Sequence, residues 1–176
     1  RPGPSADRPA VGIRDSVYRA RWHQGTLRGR ATCDVVLTEI GPQLLSLGPS
    51  NLGWQGVRNA VAPHEEIVWG STAEGPAVLV PQAGTLELDW WLARPAGEAT
   101  ATAWLFTPPP SGTTRCELTL PEELSPDFGP GAVVESHPGD EPGTRLWVVH
   151  LDGRGSWTWR LVAPTEAPVV SPEVGW

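Results

Sequence analysis

The chain has 176 residues, room for one ordinary domain or two very small ones. Its composition, 39% hydrophobic and 19% charged, is that of a folding chain and not a disordered one. A net charge of -7 argues against general nucleic-acid binding, and no apolar run is long enough for membrane insertion.

Gly and Pro, 20 of each, punctuate the whole sequence, which leaves room for many short elements and little for long helices. All 13 basic residues are arginine, the bias of a GC-rich genome. With no Met anywhere, residue 1 is not a native start, and the chain is expected to be a processed product or a piece of something longer.

In chain order, residues 1–14 read as an extended, Pro-rich, linker-like lead-in. A succession of strands follows over 15–164. "SVYRARW" and "TLRGRATCDVVL" alternate polar and apolar, and "LLSL", "EIVWG" and "AVLVP" are short apolar runs. "TLELDWWLA", "ATAWLF", "TRCELTLP", "RLWVVHL" and "SWTWRLV" complete the set. A turn or two of helix is expected at most, in "PEELSPDFG", and 165–176 form an extended tail. The expected fold is all-β: an antiparallel β-sandwich of about ten to twelve strands with almost no helix. Blocks 15–96 and 97–164 belong to one domain, because either alone has a thin core.

The first hairpin carries the most information. A two-residue turn at Gln24-Gly25 places Trp22 opposite Leu27, Ala20 opposite Gly29 and Tyr18 opposite Ala31. These share a core face with Cys33, Val35 and Leu37. The other face then pairs Arg21 with Arg28 and Arg19 with Arg30. Like charges directly opposite destabilise a sheet unless something negative covers them. In "TLELDWWLA", Leu86, Leu88, Trp90 and Leu92 take the core face while Glu87, Asp89 and Trp91 take the other. A strand laid beside the hairpin brings those carboxylates to the arginines, with Trp91 stacked on a guanidinium. The alternative is that Trp91 and the four arginines form a surface for an external anion, sugar or partner.

Cys33 and Cys116 both point inward. Either they are buried free thiols of a cytoplasmic protein, or they form a disulfide between the two sheets of an exported one. The disulfide would close a long loop and stabilise by roughly 4 kcal/mol in chain-entropy terms. Catalytic signals are weak. His23, His64, His137 and His150 lack metal-ligand spacing. Ser50 in "GPSNLG" lacks the second glycine of a nucleophile elbow. The adjacent pairs Glu65-Glu66, Glu122-Glu123 and Asp140-Glu141 point apart on an extended chain. No catalytic residue, cofactor or metal site is therefore assigned. Ten tryptophans are unusual, and most fit the core. Trp54, in the loop-like "NLGWQG", is the best candidate for an exposed sugar platform.

The run "VYRARWHQGTLRGRATCDVVLTEIGPQLLSLGPSNLGW" carries Tyr18, Ala20, Gly25, Leu27, Gly29, Ala31 and Val35 in the order Y-x-A-x-x-x-x-G-x-L-x-G-x-A-x-x-x-V. It resembles a recurring segment of large, poorly characterised exported or envelope-anchored proteins of GC-rich bacteria. The resemblance implies β-sandwich modules without catalysis and transfers no functional residue. An immunoglobulin domain is disfavoured, because Thr114 stands where a tyrosine should precede Cys116. The expected function is a non-catalytic structural or interaction module, extracytoplasmic, contacting neighbouring modules or copies of itself. A carbohydrate-binding module for polysaccharide is the alternative, and an enzyme the third reading.

Overall fold

The computed structural model describes residues 10–23, 25–93, 103–128, 132–151 and 157–162. The linker-like stretches 1–9 and 163–176, along with Trp176 and Gln24, lie outside the described residues. Those described contain thirteen strands and no helix: β1 Val11–His23, β2 Thr26–Leu37, β3 Gln43–Ser46, β4 Gly53–Asn59, β5 Trp69–Thr72, β6 Gly75–Val80, β7 Gly84–Ala93, β8 Ala103–Phe106, β9 Ser111–Pro121, β10 Ser125–Asp127, β11 Val133–Pro138, β12 Thr144–Leu151 and β13 Trp157–Val162. The all-β expectation holds. The segment expected to hold a helical turn instead makes a tight turn at 122–123 and then β10. β1 starts inside the presumed lead-in, because Ile13 is buried opposite Val35.

Seven strands form one large sheet in the order β11-β12-β9-β1-β2-β7-β4. Two three-stranded sheets, β10-β13-β8 and β3-β6-β5, complete the fold. The large sheet is mixed and not purely antiparallel: β1 and β9 run parallel, Tyr18 opposite Cys116 and Arg19 opposite Glu117. That pairing joins strands from both halves of the chain in one sheet. It is sealed inside by three hydroxyls. Ser16 lies 3.1 Å from both Ser111 and Thr114, and Ser111 lies 2.8 Å from Thr114, so these buried polar groups satisfy one another.

The hairpin register is the one its alternation dictates. Trp22 pairs with Leu27, Ala20 with Gly29, Tyr18 with Ala31, and His23 with Thr26 across the turn. Gly25 takes φ 81°, which a two-residue hairpin turn of this hand requires and which costs glycine little. Gly29 is needed for a different reason: a Cβ there would stand 1.7 Å from the Arg19 carbonyl oxygen.

One face of the large sheet packs on the two small sheets. Tyr18, Leu27, Leu88, Trp90 and Cys116 meet Trp104, Phe106, Trp159 and Leu161 on one side, and Leu45, Val78 and Val80 on the other. Trp104 and Trp159 stack at 5.6 Å, and Tyr18 meets Trp90 and Phe106 edge-on at 5.9 and 5.2 Å. The adjacent tryptophans divide as strand alternation requires, Trp90 at 2% exposure and Trp91 at 37%.

Of the two states considered for the cysteines, no disulfide is formed: Cys33 and Cys116 are free and buried. They sit in the same sheet, on β2 and β9, with β1 between them. Two strand spacings of about 4.8 Å separate their backbones by more than the roughly 7 Å a disulfide spans. The Tyr18 hydroxyl ends beside Ser16 and the Cys33 thiol without a partner at full hydrogen-bond geometry. Burial pushes the Cys33 thiol up to about 12 and holds Cys116 higher still.

Candidate functional site

The other face of the large sheet is open, and its centre is a shallow concavity of about 920 Å³. All four arginines expected together are there, on its floor, two from β1 and two from β2. Arg19 is opposite Arg30 and Arg21 opposite Arg28. β7 lies beside β2 with Asp89 next to Arg30 and Trp91 next to Arg28. The register therefore creates two rows across the sheet. One reads Asp89–Arg30–Arg19–Glu117 and the next reads Trp91–Arg28–Arg21–Thr119.

In the first row the like charges are enclosed by anions. Arg30 Nε donates to Asp89 Oδ1 at 2.9 Å and its Nη1 lies 3.5 Å from Glu87. Arg19 Nε donates to Glu117 Oε2 at 2.8 Å, and Arg115 reaches the same carboxylate at 3.2 Å. From β4, Arg58 donates to Glu87 at 2.7 Å and to Asp89 at 3.1 Å. Partial burial pushes the Asp89 carboxyl up, but hydrogen bonds from Arg30 and Arg58 and their charges outweigh it and hold Asp89 below the usual carboxylate range. Arg58 is held above its ordinary value, first by its bond to Glu87.

In the second row the flanking positions are an indole and a hydroxyl. Arg21 reaches outside the sheet to Glu141 on the loop after β11, and both side chains are largely exposed, 60% and 63%. Arg28 is exposed and has no carboxylate partner among the described residues. Trp91 does not stack on a guanidinium as expected. Its indole lies over the backbone of Gly53 in β4, where a Cβ would come within 2.1 Å of the ring.

Trp54 is not the exposed loop residue expected. "NLGWQG" runs into β4, and a bulge between Trp54 and Gly56 rephases the strand. Trp54 pairs with Trp90, packs half-buried against the core, and its Nε1 is enclosed without a hydrogen-bond partner. It lines an open groove of about 500 Å³ with Trp69 of β5. Sequence reasoning missed Arg58, Glu117 and Glu141. Glu117 was legible, since Arg115, Glu117 and Thr119 alternate with the inward Thr114, Cys116 and Leu118. Arg58 was hidden by the bulge, and Glu141 carried no strand signal.

A third surface lies on the opposite side of the core. Leu44 of β3 pairs with Leu79 of β6, and the Leu79 amide donates to the Val68 carbonyl at 2.9 Å. All three side chains are exposed, so they form an apolar row across the outer face of the β3-β6-β5 sheet. Single exposed aliphatics are ordinary, whereas these three stand next to one another.

No protein-family model matches the chain, and no curated protein matches it. Its fold does have counterparts among solved structures. It is similar to an M1 zinc metallopeptidase from Deinococcus radiodurans, at TM-score 0.56 and 15% identity over 89% of this chain and 43% of that one. A two-domain M1 zinc metallopeptidase bound to L-tryptophan superposes at TM-score 0.57 and 14% identity, over 90% and 44%. Native yeast LTA4 hydrolase does so at 0.55 and 10%, over 92% and 32%.

The likeness is one of fold. The chain spans less than half the length of these enzymes. The likeness overturns the expectation of a structural module of an exported surface protein, because this arrangement of sheets occurs within enzymes. Short strands with few diagnostic side chains had concealed the relation. Among the described residues no three His, Cys, Asp or Glu side chains come together to hold a metal ion, so that part of the chain does not fit a zinc site.

Proposed function

We propose that the chain is the non-catalytic β-domain of an M1-type peptidase, a scaffold that packs against a separate unit carrying the zinc and the reacting groups. The observation that carries this reading is the asymmetry of coverage: about nine-tenths of this chain superposes on well under half of each enzyme. The lack of a metal-ligand cluster among the described residues supports it. The apolar row Leu44–Leu79–Val68 supplies the contact surface, since packing against another domain is the ordinary use of such a face.

The purified chain, incubated with zinc and dialysed, is expected to retain no stoichiometric metal by atomic emission and to release no amino acid from a tripeptide. Retained zinc together with hydrolysis would overturn the proposal. A catalytic unit lacking its own β-domain is expected to bind the wild-type chain and not Leu79→Asp; equal binding of the two would move the contact to another surface.

A further inference from the structure

The first hairpin presents two arginine pairs on one face, and among the described residues only one is flanked by anions in register. The Arg19–Arg30 pair has Asp89 and Glu117 in register on either side. The Arg21–Arg28 pair has Trp91 and Thr119 in those places. Directly opposed like charges cost free energy that an interposed anion removes. Glu141 approaches Arg21 alone, and that ion pair is exposed on both sides, so it exchanges readily for another anion. Two arginines from paired positions that line one concavity can both donate to the two oxygens of one carboxylate. The concavity above them leaves room for a side chain and its adjoining backbone.

We infer that the Arg21–Arg28 row is a docking site for an acidic side chain of a partner polypeptide, its carboxylate held between the two guanidinium groups. The site is on the opposite side of the core from the apolar row and does not depend on that row's role. Charge complementarity selects the occupant. Asp89 and Glu117 stand one row away, so a polymer charged at every unit, such as a polyuronate, meets repulsion there. An isolated acidic side chain has only to displace Glu141 from Arg21, beside Asp140, which also lines the concavity. Stacked sugar recognition is also poorly served, since Trp91 is laid over Gly53 and Trp54 is half-buried.

The test uses the full chain, isotope-labelled at arginine and tryptophan, at low salt. A blocked hexapeptide with one glutamate is the probe, its glutamine counterpart the control, and hexagalacturonate the competing class. The glutamate peptide is expected to shift the Nε resonances of Arg21 and Arg28 and not the indole resonance of Trp91, and the glutamine peptide to leave all three unmoved. Arg28→Gln is expected to weaken binding at least tenfold with an unchanged melting temperature, and Arg145→Gln to bind as wild type. The inference fails if both peptides act alike, if Arg28→Gln binds normally, if nothing shifts at millimolar peptide, or if only the uronate binds.

Discussion

The Arg19–Arg30 and Arg21–Arg28 pairs lie two residues apart on the same two strands, with the same side chains and the same spacing. They differ only in what the neighbouring strands place beside them. β7 offers Asp89 to one and Trp91 to the other, and β9 offers Glu117 to one and Thr119 to the other. The first pair belongs to a half-buried network of alternating charge that spans five strands, with Glu117 only 16% exposed. Among the described residues the second meets one carboxylate, Glu141, by an exposed loop contact. A like-charge pair is thus part of the fold or an open site according to residues two strands away.

The comparison can be broken at several strengths. Gly29 lies between the two rows, and its missing Cβ is what lets β2 approach Arg19. Gly29→Ala forces backbone against backbone and should disrupt both rows. A loss of about 3 kcal/mol in urea unfolding is expected. Asp89→Asn acts on the first row only. It removes the negative charge between Arg30 and Arg58 and one of the two oxygens that accept from them, and should cost about 1 to 2 kcal/mol.

That loss should depend on pH. A carboxyl whose folded pKa lies below its unfolded value of 3.8 stabilises fully above 3.8, and the contribution disappears as pH falls through the lowered folded value. Wild type and Asp89→Asn should therefore converge in stability as pH drops below about 4, read by thermal melts. Arg28→Gln, in the second row, should change stability by less than about 0.5 kcal/mol.

The face opposite the arginines gives a contrasting test. Cys33 and Cys116 are buried thiols with raised pKa values, so neither should react with a thiol reagent at neutral pH until the protein unfolds. Labelling of the native chain by mass spectrometry checks this, and rapid modification of either cysteine would contradict the packing of the core.

How much of this was legible in the sequence follows from locality. The hairpin register was readable because strict alternation and a two-residue turn leave one solution, and the same alternation divided Trp90 from Trp91. Glu87 and Asp89 could be brought to the arginines because they share a face of one strand. The parallel pairing of β1 with β9 was not readable, since more than ninety residues separate Arg19 from Glu117 and no local signal records the pairing. That gap also misplaced the cysteines on separate sheets. Trp54 was misplaced because "NLGWQG" passes for a loop although it runs into β4, and the bulge after it hid Arg58, because one extra residue moves every later side chain to the other face.

Double-mutant cycles on the two rows measure the division most directly. The account predicts a coupling of about 1 kcal/mol or more between Arg30 and Asp89, and a coupling near zero between Arg21 and Glu141. Equal couplings, or the larger value at Arg21–Glu141, would contradict it.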